Sequence, residues 1–298
     1  MRAVSLIVPA GAWLAFAAAL PAGAYELKPF KDKLFRYPRL IEVTDGGTFE
    51  RVEYVRDRDL VRRDDVLRIQ VQPHYVNKRP TRRQKTRTYT VNGQTNKYIG
   101  LGRLDGGARA IVIYVHGAGG DRFVGANDWS YGGNFNRIKN LMLRNDGVYL
   151  SPDFTDFRAQ GKAEIRALVE KYSRLSPGAP VFLACTSMGG TICWSLVQDA
   201  KVRPLLGGLL FFGGFVNNGF LESAAFRSAR RPVPIYMGHG TKDTIYSWEA
   251  QARFFRAMRA RRSDYPLRFT LFETGSHGTP VRMTDWRRIL NWMLSVRS

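Results

Sequence analysis

A serine, an aspartate and a histidine each stand where an apolar run gives way to small residues. Ser187 follows VFLACT (181–186) and precedes Met188-Gly189-Gly190, Asp243 closes VPIYMGHGTKD, and His277 lies in LRFTLFETGSHG. Runs of this length bounded by glycine read as buried strands, so the three residues sit at strand ends. A hydroxyl, an imidazole and a carboxylate suit acyl transfer: the hydroxyl attacks a carbonyl, the base moves its proton, and a covalent acyl-enzyme forms and is hydrolysed without a cofactor. Histidine is scarce, with four in the chain. His74 falls among the N-terminal segments, and His116 and His239 each precede a glycine at a strand end, where a structural or rim role is expected. Asp153, after GVYLSPDF, is a second carboxylate at the same edge and competes with Asp243.

The elements that position these residues follow from the pattern around them. At the turn carrying Ser187, the positions two residues away on either side are Cys185 and Gly189, both small. A strained strand-to-helix turn brings those two backbones close and excludes bulky side chains there. The run AIVIYV (110–115) leads into His116-Gly117-Ala118-Gly119-Gly120. Its glycine spacing is not that of a dinucleotide fingerprint, and no Gly-Lys-Ser/Thr phosphate loop occurs. From residue 110 onward, apolar strands alternate with amphipathic helices: GVYLSPDF, AEIRALVEKY, VFLACT, the segment after Ser187, then GGLLFFGG. That alternation predicts a mostly parallel sheet with helices on both faces. Short alternating segments before it (TFERVEYV, VLRIQV, KYIGLGRL) read as antiparallel strands at the leading edge of the sheet.

The elbow at Ser187, the His-Gly loop at 116–120 and the order Ser187, Asp243, His277 resemble the α/β-hydrolase superfamily, nearest its dienelactone-hydrolase, carboxylesterase and prolyl-oligopeptidase-like branches. The resemblance covers residue 111 to the C-terminus. It implies Ser187 as nucleophile, His277 as general base and Asp243 as the acid that orients the imidazole, with the backbone N–H groups of Met188 and Ala118 as the oxyanion hole. It also favours Asp243 over Asp153, because the strand of Asp243 is the usual source of the acid in that superfamily. Asp153 is then a substrate-side or structural acid. The segment 215–232 has room for little more than one short helix, so no large cap is expected. Access would be shaped by the loop 121–134, whose Trp129 and Tyr131 either stack on a substrate or pack internally.

Composition bounds the remainder. With 298 residues and 44% hydrophobic content, one α/β domain is the natural reading. Residues 1–24 read as a signal peptide: Arg2, an apolar core, and a small-x-small end at Ala22-Gly23-Ala24. An uncleaved anchor is the alternative, since the stretch is long enough to span a bilayer. The mature chain is then a single domain over 25–298, with N-terminal strands and a basic loop in 25–107 and a core in 108–298, in an exported, periplasmic or secreted protein. Its two cysteines, Cys185 and Cys193, are expected to be free and buried rather than paired. No metal-ligand spacing is present, and the chemistry requires neither metal nor cofactor. The net charge is +21, and +20 once Arg2 leaves with the signal. The densest basic run, KRPTRRQKTR (78–87), suits an anionic lipid or polysaccharide surface, or is a solvated loop. No nucleic-acid-binding signature accompanies it. The reading is therefore an exported serine hydrolase acting on a small-molecule or lipid-like carboxylic ester. The alternatives are an amide or peptide bond as the substrate, an acyltransferase, or a non-catalytic protein of the same fold that binds anionic lipid or polysaccharide.

Overall fold

The structure, a computed structural model, describes residues 25–65, 67–228 and 230–297. The expected signal segment 1–24 lies outside the described residues. Among the described residues, no helix is long and apolar enough to cross a membrane.

The strands are β1 (Leu40–Thr44), β2 (Phe49–Glu53), β3 (Asp64–Asp65), β4 (Gln70–Val71), β5 (Lys85–Val91), β6 (Gln94–Gly102), β7 (Ile111–Val115), β8 (Val148–Pro152), β9 (Val181–Thr186), β10 (Leu206–Phe212), β11 (Ile235–Gly240) and β12 (Leu267–Glu273). Helices are α1 (Asp32–Phe35), α2 (Arg122–Ala126), α3 (Asn134–Arg144), α4 (Ala159–Leu175), α5 (Gly189–Gln198), α6 (Ala224–Arg227), α7 (Trp248–Arg261), α8 (Thr279–Met283) and α9 (Trp286–Ser295). Ten strands form one sheet in the order β1-β2-β12-β11-β10-β9-β7-β8-β6-β5. From β2 through β8 neighbouring strands are parallel, and β1, β6 and β5 pair antiparallel.

Both faces of the sheet are buried, as the unbroken apolar runs require. Ile111, Ile113, Val115, Leu183 and Cys185 point into one core with α4, α5 and α7, through Leu168, Trp194 and Phe255. The alternate residues Val112, Tyr114, Phe182 and Ala184 point into a second core with α3 and α9, through Phe135, Ile138 and Leu290. Because β7 to β12 in this sheet run parallel, their C-terminal ends, and the residues that follow them, lie along one edge. Among the described residues between β10 and β11 the helical segments are two short ones, Asn218–Glu222 and α6, with no large cap, as expected.

Two expectations are corrected. KYIGLGRL forms β6 at the leading edge, but TFERVEYV forms β2 at the opposite edge, parallel to β12, with register Phe269 to Phe49 through Glu273 to Glu53. An uncovered β12 would present a row of unpaired backbone groups, and β2 with β1 closes it. VLRIQV contributes only β4, in a separate two-stranded sheet with β3. Second, Cys185 and Cys193 are not free: they form a disulfide, with Cα atoms 6.6 Å apart. Cys185 points from β9 into the core where α5 packs on the strand, and Cys193, one turn into that helix, faces back at it.

Candidate active site

Ser187 sits on a tight turn between β9 and α5 with φ +51°, a left-handed value that costs a non-glycine residue about 1 kcal/mol or more. The turn is held by Ser187 N–H donating to Phe212 O at 3.1 Å and Gly190 N–H donating to Ser187 O at 3.0 Å. Its neighbours leave no room for side chains. A Cβ at Gly189 would lie 2.5 Å from the carbonyl oxygens of Val115 and His116, and one at Gly117 would lie 2.9 Å from Ser187 Cβ. The other flanking position, Cys185, is fully buried and anchored through its disulfide to α5.

The loop after β7 crosses in front of this turn. Gly120 N–H donates to Gly117 O at 3.1 Å, with Gly119 at φ +72°, closing a tight turn around Ala118. His116 braces it: Nδ1–H donates to Gly117 O at 2.9 Å, and the ring stacks on Phe154 with centroids 4.1 Å apart. Burial lowers the pKa of His116, which keeps it neutral and structural. Among the described residues, the backbone N–H groups of Ala118 and Met188 donate to no other protein group. Backbone donors left free beside a serine are able to hold an oxyanion that forms there.

His277 and Asp243 come from the ends of β12 and β11. The two loops are fastened together: Lys242 N–H donates to Gly275 O at 2.8 Å, and Thr274 N–H to Thr241 Oγ1 at 2.7 Å. Ser276 N–H donates to Thr279 Oγ1 at 2.9 Å, tying the histidine turn to α8. His277 Nδ1 lies 2.8 Å from Asp243 Oδ2. Because an ionised carboxylate only accepts, Nδ1 carries a proton, and the neutral tautomer this selects has its lone pair on Nε2. The Asp243 side chain is fully buried, whereas that of His277 is 28% exposed. Burial opposes ionisation of Asp243, but the His277 hydrogen bond and backbone N–H donors from Ile245 (2.8 Å) and Tyr246 (3.1 Å) outweigh it, and its pKa is lowered.

The three residues converge on the end of β10. Phe212 O accepts from the Ser187 amide, and the next residue, Gly213, has φ +55°. A Cβ at Gly213 would lie 2.9 Å from His277 O, 3.1 Å from His277 Nδ1 and 3.3 Å from Asp243 Oδ2. The other candidates separate from this group. Asp153 accepts from Arg122 N–H at 2.7 Å and from its guanidinium at 2.5 Å, so its carboxylate is committed to α2. Tyr131 packs edge-on to Phe135 and lies 3.2 Å from where a Cβ at Gly278 would be, placing it on the flank of the His277 turn. Trp129 faces Lys78, whose Nζ is 5.9 Å from the ring centroid.

His239 takes the structural role expected of it, and two arginines that the sequence did not single out also support the site. His239 is buried beneath Asp243, with Nε2–H donating to Tyr246 O at 2.9 Å and lying 3.2 Å from Asp243 Oδ2, and burial lowers its pKa. Arg282 in α8 makes a two-pronged ion pair with Asp64 at 2.9 and 2.6 Å. Arg63 donates to Gly132 O at 3.2 and 2.7 Å while lying over the rings of Phe35 and Tyr75. Together they clamp the N-terminal segment onto the Tyr131 and His277 loops. The only hint in the sequence was Arg282 standing five residues after His277.

No protein-family model and no curated protein matches the sequence. The chain is similar in structure to a thermostable esterase, with a TM-score of 0.55 and 15% identity over 73% of this chain, and it spans 64% of that protein's length. It is also similar to the esterase Pf2001 of Pyrococcus furiosus, with a TM-score of 0.53, 15% identity and coverage of 74% of this chain and 95% of that one. A soluble variant of monoglyceride lipase from Saccharomyces cerevisiae, solved with a substrate analogue, gives a TM-score of 0.51 and 14% identity over 72% and 96% of the two chains. The chain has the α/β-hydrolase fold.

Proposed function

We propose that this chain, on its α/β-hydrolase fold, is an exported serine hydrolase that cleaves a carboxylic ester through an acyl-enzyme. One observation carries the reading: Ser187 on its strained turn, beside two unpaired backbone donors, meets at Gly213 a histidine whose Nδ1 is fixed by a buried, ionised aspartate. In this reading Ser187 Oγ attacks the ester carbonyl while His277 Nε2 takes its proton. The developing oxyanion is held by the N–H groups of Met188 and Ala118. Asp243 keeps the imidazole in the required tautomer and stabilises its protonated form. His277 then returns the proton to the leaving alkoxide, and a water repeats the sequence to release the acid.

The absence of a large cap between β10 and β11 and the partial exposure of His277 favour a substrate that approaches an open edge. Tyr131 flanks that edge. The Cys185–Cys193 bond favours an oxidising compartment and so supports export. The test is hydrolysis of p-nitrophenyl acetate and butyrate by the mature chain and by Ser187→Ala. The reading expects turnover that falls by several orders of magnitude in the variant. Equal turnover by the two proteins would assign any activity to another group.

A further inference from the structure

Lys78, Arg79, Arg82 and Arg83, with Asn77, line one surface cavity of about 450 Å³. Elsewhere the arginines of this chain are commonly matched to carboxylates, as Arg282 is to Asp64 and Arg288 to Glu50. Among the described residues, none of these four cations has a carboxylate partner within ion-pair distance. Four like charges around one hollow repel one another, and an anion placed there relieves that repulsion.

The backbone beneath them is anchored more firmly than a solvated loop requires. Asn136 grips Asn77 from both sides, accepting from its N–H and donating to its carbonyl, each at 2.9 Å. Thr81 Oγ1 donates to Asp128, Pro80 is buried, and Lys139 Nζ reaches Gln84 Oε1 at 2.7 Å and Asp128 Oδ1 at 2.6 Å. Asn136 and Lys139 are themselves fully buried in α3. Burying a lysine and an aspartate together is costly and adds little net stability, but it fixes geometry. Here it fixes the segment that carries the cations. Guanidinium groups match the paired oxygens of a tetrahedral oxyanion, and a monatomic ion would leave most of the cavity unfilled.

We infer that the Lys78–Arg79–Arg82–Arg83 cavity is a binding site for a phosphoryl group, carried by a soluble phosphate compound or by a lipid headgroup. Lys78 lies over Trp129, two residues before Tyr131, which flanks the His277 turn. It holds none of the residues of the proposed triad, so the inference stands or falls apart from the hydrolase reading.

The test uses the mature chain with pyrophosphate as the soluble probe and with vesicles containing phosphatidic acid, against neutral vesicles. Binding is read by calorimetry and co-sedimentation, and the triple variant Arg79→Gln/Arg82→Gln/Arg83→Gln is the comparison. The side chains are exposed, so the variant's thermal midpoint should stay near that of the parent. The inference expects saturable binding that weakens with salt and falls about tenfold or more in the variant. Pyrophosphate binding assigns a soluble source, and binding to phosphatidic acid vesicles alone assigns a headgroup. Binding unchanged in the variant, or binding of neither probe by the parent, would overturn the inference. Trp129→Phe gives a second readout: it should abolish a pyrophosphate-induced change in tryptophan emission while leaving the calorimetric binding intact.

Discussion

Gly213→Ala should uncouple the proposed triad while leaving the fold in place. The residue holds φ +55°, so an alanine there costs about 1 kcal/mol in backbone strain. Its Cβ would stand 2.9 Å from His277 O and 3.1 Å from His277 Nδ1. Restoring ordinary contact requires a retreat of about half an ångström by the histidine turn or by β10, at the scale where van der Waals repulsion gives way to attraction. The His277–Asp243 bond is 2.8 Å long, so a shift of that size carries it to the limit of hydrogen-bonding distance. Misplacement by about 1 Å costs on the order of 100-fold in rate, so kcat on p-nitrophenyl acetate should fall roughly 10- to 100-fold. The urea unfolding free energy should drop by about 1–2 kcal/mol. Gly214→Ala is the control. Gly214 is buried too, but its φ is not positive and its Cβ would meet nothing closer than 3.6 Å, so its kcat should stay within about threefold of the parent. Equal effects of the two variants on kcat would refute the claim that the three residues are positioned through Gly213.

Asp243→Asn should lower turnover by about 10⁴-fold by holding the wrong imidazole tautomer, whereas Asp153→Asn should cost less than about tenfold, because Asp153 serves Arg122. Steady-state kinetics on one ester ranks them, and the reverse order would move the acid to β8. His116 and His239 are buried with lowered pKa values, so below the ordinary histidine pKa of about 6.5 the unfolded chain binds protons that the folded chain refuses. Stability should therefore fall as pH drops from 7 towards 5, by at most about 1.4 kcal/mol per pH unit for each histidine. Urea titrations at pH 7, 6 and 5 check this, and a flat profile would contradict it. Reducing the Cys185–Cys193 bond, which closes a loop with a sequence separation of 8, should lower stability by about 2.5 kcal/mol. Unfolding titrations with and without a phosphine reductant would show the shift.

Ser187, Asp243 and His277 were legible because each ends an apolar run, and a buried parallel sheet sends all such ends to one edge. The need for a small residue at 189 was legible because a strained turn brings its backbone close to its surroundings, whereas the matching demand at Gly117, against Ser187, shows only in the fold. The disulfide was not, because whether Cys185 meets Cys193 depends on how α5 lies across β9, which spacing along the chain does not encode. Nor was the edge that β2 joins: it rests on contacts with residues far along the chain, such as Phe49 packing against Phe255 and Phe269 and Arg51 pairing with Glu273. The Arg282–Asp64 clamp spans 218 residues, so neither partner announces the other.

If Ser187 is the nucleophile of an acyl-transfer site, a fluorophosphonate probe should capture it covalently. The mature chain is incubated with the probe, the bound phosphonate is counted by intact mass, and the modified peptide is sequenced. One phosphonate per chain is expected, located on Ser187, with labelling abolished by Ser187→Ala and strongly slowed in His277→Ala. An unlabelled parent protein, or a label found on any residue other than Ser187, would contradict it.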